Sequence, residues 1–275
     1  MVGIKEITAE TLAILESGRY TARSGRVLNV GPAIAAAAAA TRSYAPEELR
    51  ALRRTRPSDP SASRPWVEVT DETTQAAAAR LLLEDRLPEL VLLNFASARN
   101  AGGGFIKGAK AQEEDLCRAS GLYPCLLRAP DYYAVNRAEG SLLYTDRLIY
   151  SPSVPFFRGA GPELLESPCF PAVITSPAPN AGELLARLPD AGPSLEEALR
   201  RRAGMILDVA RTHGHKNLLL GAWGCGVFRN DPVQVARIFA EVLEEQAGAF
   251  ERVIFAVYDR GEGLPNLTAF RGQFG

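Results

Sequence analysis

The sequence predicts an α/β fold in which a mixed or parallel β-sheet is covered by helices on both faces. From Trp66 onward, short apolar segments of strand length alternate with longer segments of helical periodicity. Of the 275 residues, 47% are hydrophobic and 23% are charged, which is the composition of an ordinary globular protein. Strands separated by helices build such sheets, and their ligands bind beyond the carboxyl ends of the strands.

The elements of this region follow from composition and periodicity. Apolar or β-branched runs predict strands over 66–69, 90–95, 148–150, 172–175, 217–220 and 253–257. Helical spacing predicts helices over 71–84, 112–127, 195–212, 232–246 and near Leu267. Asp231 is the expected N-cap of the helix over 232–246, and Pro232 is at the first position of that helix. The region 132–157 is expected to carry β-type segments.

The first sixty residues predict an N-terminal helical extension. Helices are expected over 6–18 and 34–54, the second running through six consecutive alanines, and a short strand over 26–30. The Pro/Ser-rich stretch RPSDPSASRP, residues 56–65, is the best internal boundary. We therefore expect an extension, residues 1–60, packed on a core domain, residues 61–275.

Charge and rare residues exclude several classes of protein. A net charge of −1 provides no basic field for nucleic acid. The four cysteines form no CxxC pair, which favours reduced thiols over disulfides or zinc. Two histidines give little material for a metal site or a catalytic triad. The start, MVGIKEITAETL, has charges where a signal peptide needs an apolar run, so we expect a cytoplasmic protein.

The first glycine-rich segment follows the predicted strand LVLLNF and reads ASARNAGGGFIKGAKAQEEDLCR, residues 96–118. Three consecutive glycines remove every side chain at one place, so that a ligand can approach the main chain. After seven more residues, Gln112, Glu113, Glu114 and Asp115 begin a predicted helix. Acidic residues are common in a first turn, where they face the positive end of the helix. Beside a bare backbone cradle, however, they indicate an acid–base site.

The second glycine-rich segment follows the predicted strand at 217–220 and reads GAWGCGVFRNDP, residues 221–232. Its three glycines lie between a strand and a helix, where backbone N–H groups gather around phosphate. No GK[ST] follows, so it is not a P-loop, and Arg229 stands where the last glycine of GxGxxG would fall. Phe228 either belongs to the core or covers a sugar or base beside the diphosphate.

Together the two segments resemble the poly(ADP-ribose) glycohydrolases. The family signature, GGG, seven residues and QEE, stands here as GGGFIKGAKAQEE between NFASARNA and DLCRASGLY. GAWGCGVF resembles the diphosphate-binding loop of the family. The resemblance covers roughly residues 66–275 and points to the bacterial branch. It implies a three-layer α/β/α macrodomain-like fold with a mixed sheet, and hydrolysis of the ribose–ribose O-glycosidic bond of poly(ADP-ribose) without metal or cofactor.

The resemblance also implies roles for individual residues. Glu114 is the expected acid/base, Glu113 holds the hydroxyls of the scissile ribose, and Asn100 positions that ribose. Tyr258, near the end of the last strand, is the expected adenine contact. The remaining expected substrate contacts lie in the two glycine-rich segments: Gly102, Gly103, Gly104, Gln112, Gly224, Cys225, Gly226, Val227 and Phe228.

The expected partners follow from the same resemblance. They are ADP-ribose or poly(ADP-ribose) as ligand and ADP-ribosylated proteins, with no direct nucleic-acid partner, no membrane and a monomeric chain. If residues 1–60 pack over the adenosine-side ribose, only chain ends can enter, and cleavage is expected there.

Glu113 and Glu114 are neighbours in sequence, so on a helix they point about 100° apart. The usual glycosidase arrangement, with two carboxyl groups ~5 to ~9.5 Å apart across the bond, is therefore disfavoured. One acid/base and one positioning carboxyl group fit better.

The sequence leaves three other functions open. A non-catalytic ADP-ribose-binding macrodomain would need both glycine loops but no acidic pair. A generic dinucleotide enzyme is disfavoured because GxGxxG is absent. Hydrolysis of mono-ADP-ribose or O-acetyl-ADP-ribose linkages is excluded less well.

Overall fold

The structure, a computed structural model, describes residues 3–54 and 63–275. In these residues the strands are β1 (Arg19–Thr21), β2 (Val27–Asn29), β3 (Arg42–Tyr44), β4 (Trp66–Thr70), β5 (Leu90–Phe95), β6 (Leu148–Ser151), β7 (Phe156–Arg158), β8 (Leu164–Cys169), β9 (Ala172–Ser176), β10 (Asn217–Leu220) and β11 (Arg252–Ala256). The helices are α1 (Ile4–Ser17), α2 (Gly31–Ala40), α3 (Pro46–Arg54), α4 (Thr74–Ala79), α5 (Gln112–Ala119), α6 (Leu122–Leu126), α7 (Pro130–Glu139), α8 (Ala181–Arg187), α9 (Gly192–Thr212), α10 (Pro232–Glu244) and α11 (Pro265–Phe274). The expected boundary at residue 60, and the connector up to residue 62, lie outside the described residues.

A seven-stranded mixed sheet, in the order β3-β6-β9-β5-β10-β11-β4, forms the centre of the molecule. From β9 to β4 neighbouring strands are parallel, whereas β6 runs antiparallel to both β3 and β9. The carboxyl ends of the parallel strands therefore meet at one edge of the sheet. The amino end of β6 lies at the same edge because this strand is reversed.

Side chains of the central strands alternate between two hydrophobic clusters, as the period of a strand requires. Val91 and Leu93 point into a cluster that includes residues of α3, α8, α9, α10 and α11. Leu90 and Leu92 point into the opposite cluster, built with residues of α2, α4, α5, α6 and α7. The expected three-layer α/β/α architecture with a mixed sheet is confirmed. Within the described part of the chain, no helix is long and apolar enough to cross a membrane.

The prediction of a single helix over 34–54 is wrong, because a strand interrupts the helix in the middle of this segment. Helix α2 ends at Ala40, β3 follows, and α3 begins at Pro46. Proline disfavours a helical conformation at the preceding residue. Tyr44 is buried, and its hydroxyl lies 2.7 Å from His213 Nε2. The N-terminal segment therefore also contributes strands, one of which pairs with β6 at the edge of the main sheet.

Two further expectations need correction on the other side of the sheet. The helix expected over 112–127 is interrupted at Ser120, whose extended backbone bridges to Phe156 and separates α5 from α6. The region expected to carry β-type segments from residue 132 instead begins with α7, and its strands follow at β6 and β7. The strands expected over 90–95 and 217–220 are confirmed with their bounds, and the Asp231 side chain caps α10 at Val233 N.

Candidate active site

A cavity of about 690 Å³ opens at the sheet edge where β4, β5, β10 and β11 end. The connection after each of these strands contributes to its wall: residues 72–75 after β4, 95–97 and 110–115 after β5, 222–228 in part after β10, and 256–258 with Asn266 after β11. Ile4 of α1 adds a side chain from the N-terminal segment. This position agrees with the site expected beyond the carboxyl ends of parallel strands.

The structure brings most of the sequence-predicted residues to this cavity. Those in its wall are Gln112, Glu113, Glu114, Gly224, Gly226, Val227, Phe228 and Tyr258. In the glycine triplet, Gly103 lies against both glutamates and Gly104 lies near Glu114, whereas Gly102 faces Tyr123 and Cys117. Asn100 is exposed on the same loop and Cys225 turns its thiol toward Trp223 O, 3.7 Å away, so neither side chain belongs to the cavity wall.

Glu114 lies in the first turn of α5 at the cavity wall and is only 8% exposed. Its Oε1 atom accepts a hydrogen bond of 2.8 Å from Gly104 N. A backbone donor of this kind fixes the position of one carboxyl oxygen. The glycine loop therefore orients the carboxyl group that the sequence singles out as acid/base.

Glu113 is more deeply buried, at 1% exposure. Its two carboxyl oxygens accept hydrogen bonds from Ser97 N at 2.8 Å and from Asn94 Nδ2 at 3.3 Å. Burial raises the pKa of Glu113 to about 8, against the opposing effect of these donors, and the neighbouring Glu114 charge raises it further. Glu113 is thus predominantly protonated at neutral pH and adds little negative charge beside Glu114.

Gly103 explains how two neighbouring glutamates share one site. A Cβ atom at this position would collide with Glu114 Oε1 and lie 3.2 Å from Glu113 Oε2. Both carboxyl groups therefore converge on Gly103, although the first bonds of their side chains diverge along the helix. Gly103 also has φ +56°, which an L-residue adopts only at a cost. Space and backbone conformation both require glycine here.

Gln112 locks the start of α5 to the sheet. Its Oε1 atom accepts from Phe95 N at 2.8 Å, and its Nε2 atom donates to Leu93 O at 2.8 Å and to Thr74 Oγ1 at 3.1 Å. The amide is therefore engaged with β5 and α4. These bonds hold the following two glutamates at a fixed depth in the cavity wall.

The second glycine-rich loop is held by its polar neighbours. Asn230 Nδ2 donates to Gly224 O and to Pro179 O, each at 2.9 Å, and Trp223 Nε1 donates to Ser176 O at 3.0 Å. Gly224 has φ +75°, and a Cβ atom there would lie 2.6 Å from Asn230 Nδ2. The backbone N–H groups of Gly224, Gly226 and Val227 make no hydrogen bond within the described residues. They are available donors for an anion.

Two aromatic side chains border the cavity. Phe228 is half-buried, and its ring centroid lies 6.0 Å from that of Tyr144. Tyr258 is 54% exposed, and Arg260 Cζ lies 3.9 Å from its ring centroid. The Arg260 guanidinium therefore packs on one face of the Tyr258 ring, and this cation–π contact holds the ring in place.

Sequence reasoning missed several residues that build the site. Asn94 holds Glu113 and is the only polar residue in the apolar strand LVLLNF, a signal that could have marked it. Ser97 donates to Glu113 through its backbone, and such a contact leaves no sequence signature. Residues 72–75 line the cavity after β4, and their position at the end of a predicted strand was a usable signal. No cluster of three or more His, Cys, Asp or Glu side chains suited to a metal occurs in 3–54 or 63–275.

The raised pKa of Glu113 predicts a pH-dependent contribution to stability. Between its ordinary pKa of 4.5 and its folded pKa of about 8, the folded state binds more protons than the unfolded chain. Its contribution is fully present below this window and is lost as pH rises through it. We expect the difference in unfolding free energy between wild type and Glu113→Gln to fall by about 1 kcal/mol per pH unit between about pH 5 and 8. Denaturant titrations across this range measure it, and a constant difference would contradict the burial argument.

Comparison with known proteins identifies the family of this chain. Residues 8–159 match the family model of the microbial-type PARG (poly(ADP-ribose) glycohydrolase) catalytic domain. The poly(ADP-ribose) glycohydrolase of Thermomonospora curvata is 46% identical, with a TM-score of 0.93, covering 98% of this chain and 99% of that chain. Its complex with the inhibitor ADP-HPD has a TM-score of 0.91 at 46% identity, with the same coverage.

A relative from a second organism is similar as well. The poly(ADP-ribose) glycohydrolase of Deinococcus radiodurans in complex with ADP-ribose is 51% identical, with a TM-score of 0.81, covering 88% of this chain and 97% of that chain. The comparison with curated proteins gave no match. Because the family model spans more than half of the chain and these relatives are similar over nearly their whole length, this chain belongs to the microbial-type PARG catalytic domain family.

Proposed function

We propose that this protein is a poly(ADP-ribose) glycohydrolase that hydrolyses the ribose–ribose O-glycosidic bond and releases ADP-ribose. The observation that carries the proposal is the position of Glu114. Its carboxyl group lies at the wall of the cavity, nearly buried and fixed by Gly104 N, between the two glycine-rich loops. The similar enzymes bind ADP-HPD and ADP-ribose, the ligands that such a cavity suits.

Glu114 acts first as acid and then as base. The protonated carboxyl group donates its proton to the departing ribose hydroxyl oxygen while the glycosidic bond breaks, which leaves an oxocarbenium-like ribose aided by the nearby substrate phosphate. The ionised carboxylate then takes a proton from the attacking water, whose oxygen bonds to the ribose carbon. One water is consumed and Glu114 regains its proton.

Glu113 positions the scissile ribose. Its largely protonated carboxyl group can exchange hydrogen bonds with ribose hydroxyls without placing a second charge beside Glu114. Gly102, Gly103 and Gly104 let that ribose approach the backbone. Asn100, whose carbonyl accepts from Gly103 N at 3.0 Å, supports the same loop and is proposed to orient the ribose.

The diphosphate binds on residues 224–227. The available N–H groups of Gly224, Gly226 and Val227 lie between β10 and α10, where phosphate is commonly bound. Phe228 packs on the neighbouring ribose. Cys225 contributes through its place in the backbone of this loop, because its thiol faces Trp223 O.

Tyr258 is proposed to stack on adenine, and its replacement by alanine is expected to weaken ADP-ribose binding. Stacking of a base on an aromatic ring contributes roughly 1–3 kcal/mol, so the Kd of ADP-ribose should rise about 5- to 150-fold in calorimetric titrations. Trp66→Ala is a matched control. Trp66 is also 54% exposed with an arginine over its ring, Arg252, but lies at the amino end of β4. Equal Kd values for both variants and wild type would refute the assignment.

The N-terminal segment limits cleavage to chain ends. We propose residues 1–60 as an extension packed on the core domain of residues 61–275. Ile4 lines the cavity, Lys5 lies against Gly108, and Thr11 Oγ1 donates to Arg118 O of α5 at 2.8 Å. Helix α1 is thereby anchored to the catalytic helix, where it restricts the space around the terminal ribose.

The setting proposed for the protein is the cytoplasm, as a monomer that acts on ADP-ribosylated proteins and needs no metal or cofactor. Cys117, Cys125 and Cys169 are buried and unpaired, and Cys225 is half-buried and unpaired. Reduced cysteines of this kind are typical of a reducing compartment.

Chromatography of the products formed from labelled poly(ADP-ribose) tests the proposed function. We expect free ADP-ribose as the first small product, while the chains shorten one unit at a time, because cleavage proceeds from chain ends. Short oligomers that form before free ADP-ribose accumulates would overturn the restriction to chain ends. Binding of the polymer without any product would overturn the enzymatic function.

A further inference from the structure

Tyr144 lies beside the active-site cavity, at the same edge of the sheet. The cavity extends from Tyr258 after β11 to the glutamates after β5. The next strands in the sheet are β9 and β6, and Tyr144 precedes the reversed strand β6 at the same edge. Its ring centroid lies 6.0 Å from that of Phe228, which lines the cavity, while Tyr144 itself stands outside the cavity wall.

The backbone at Tyr144 is held in an unfavourable conformation. Its φ is +57°, which a bulky residue rarely adopts. Arg202, completely buried, donates from Nη2 to Leu143 O at 2.6 Å and to Tyr144 O at 3.2 Å, and from Nε to Asp146 Oδ1 at 3.1 Å. A buried charged network thus fixes a strained residue whose ring is only half-buried. Strain of this kind clusters at functional sites.

Arg99 places a cation beside this ring. Its Cζ atom lies 6.0 Å from the Tyr144 ring centroid, and its carbonyl is fixed by Arg137 Nη1 at 2.6 Å. Arg99 is exposed, sits one residue before Asn100, and makes no ion pair with any other described residue. Glu183, whose charge acts on Tyr144, is itself paired with Arg187.

We propose that Tyr144 and Arg99 form a subsite for the ADP-ribose unit on the leaving side of the scissile bond, an inference that rests on the proposed function. The departing hydroxyl belongs to a ribose that carries an adenine, which stacks on Tyr144. Arg99 binds the diphosphate of the same unit, since a guanidinium matches phosphate geometry.

The subsite distinguishes the polymer from its product. ADP-ribose fills only the cavity, so its Kd should be unchanged in Tyr144→Ala and Arg99→Gln. The kcat/KM for poly(ADP-ribose) should fall about 5- to 150-fold in Tyr144→Ala, because base stacking is lost. Tyr144→Phe keeps the ring and should restore most of the activity. A synthetic ADP-ribose phenyl conjugate, whose leaving group has no nucleotide, should be cleaved equally by all these variants.

The decisive experiment measures both affinities and kcat/KM values across this set, with Arg50→Gln of α3 as the control for loss of one exposed arginine. Polymer affinity is measured with Glu114→Gln as the parent, so this comparison does not depend on turnover. Loss of polymer affinity at constant ADP-ribose affinity supports the subsite. Equal loss of both affinities would show that Tyr144 only supports Phe228 and would overturn the proposal, as would unchanged polymer affinity.

Failure of the proposed function gives a different result. In that case the wild-type protein releases no ADP-ribose from the polymer, and the binding comparison still decides whether the subsite exists.

Discussion

Replacing Glu114 by glutamine is expected to reduce the turnover of poly(ADP-ribose) by about 10²- to 10⁴-fold, the range that general acid–base catalysis contributes. Glutamine has the same shape and keeps a carbonyl oxygen that can accept from Gly104 N, so the loop should stay in place. The amide can neither donate the proton to the departing oxygen nor activate water. The Kd of ADP-ribose should therefore change little while kcat falls. Steady-state kinetics and calorimetry on the same preparation separate these effects.

Glu47→Gln provides the matched control. Glu47 also lies in the first turn of a helix, α3, where a carboxylate faces the positive end of the helix dipole. Its replacement should leave kcat unchanged. Undiminished activity in Glu114→Gln would mean that the acidic turn of α5 is an ordinary helix start and that the acid/base lies elsewhere.

Replacing Gly103 by alanine is expected to abolish most activity through one added methyl group. The new Cβ atom would meet Glu114 Oε1, so the carboxyl group must move away from its position at the cavity wall. A displacement of about 1 Å at a catalytic group can cost about 100-fold in rate. The positive φ should add roughly 1–2 kcal/mol of destabilisation. Kinetics and thermal unfolding of the purified variant measure the two losses.

The Gly214→Ala variant separates the effect of backbone strain from the effect of the clash with Glu114. Gly214 has φ +77°, but a Cβ atom there meets no atom within 4 Å. This variant should lose similar stability and keep full activity. If Gly103→Ala behaves in the same way, its backbone strain alone matters and the convergence of the glutamates on this glycine has no catalytic role.

Most of the fold could be predicted because buried parallel strands appear in the sequence as short, nearly continuous apolar runs. LVLLNF and NLLL are apolar on both faces, and both form the central strands of the sheet. The segment 34–54 could not be predicted in the same way. Its alanine tract favours a helix locally, but Tyr44 gains burial and a hydrogen bond only when 42–44 joins the sheet. That gain depends on β6 and α9, which are distant in sequence.

The site was predictable where the chemistry resides in side chains close together along the chain. Glu113, Glu114 and the glycine triplet form one motif, and the structure joins them through Gly104 and Gly103. The protonation of Glu113 was not predictable, since it follows from burial beneath the loop rather than from repulsion between neighbouring carboxylates. Tyr144 was equally hidden, because its place beside Phe228 depends on the reversed strand β6.

The central claim is that this chain hydrolyses poly(ADP-ribose) with Glu114 as its acid/base. Labelled polymer incubated with wild type and with Glu114→Gln, in the presence of a chelator, tests it in one measurement. We expect free ADP-ribose from the wild type and at most about 1% of that rate from the variant, with polymer bound by both. Tight binding without release of ADP-ribose from either protein would contradict the claim. The protein would then be a non-catalytic ADP-ribose-binding macrodomain.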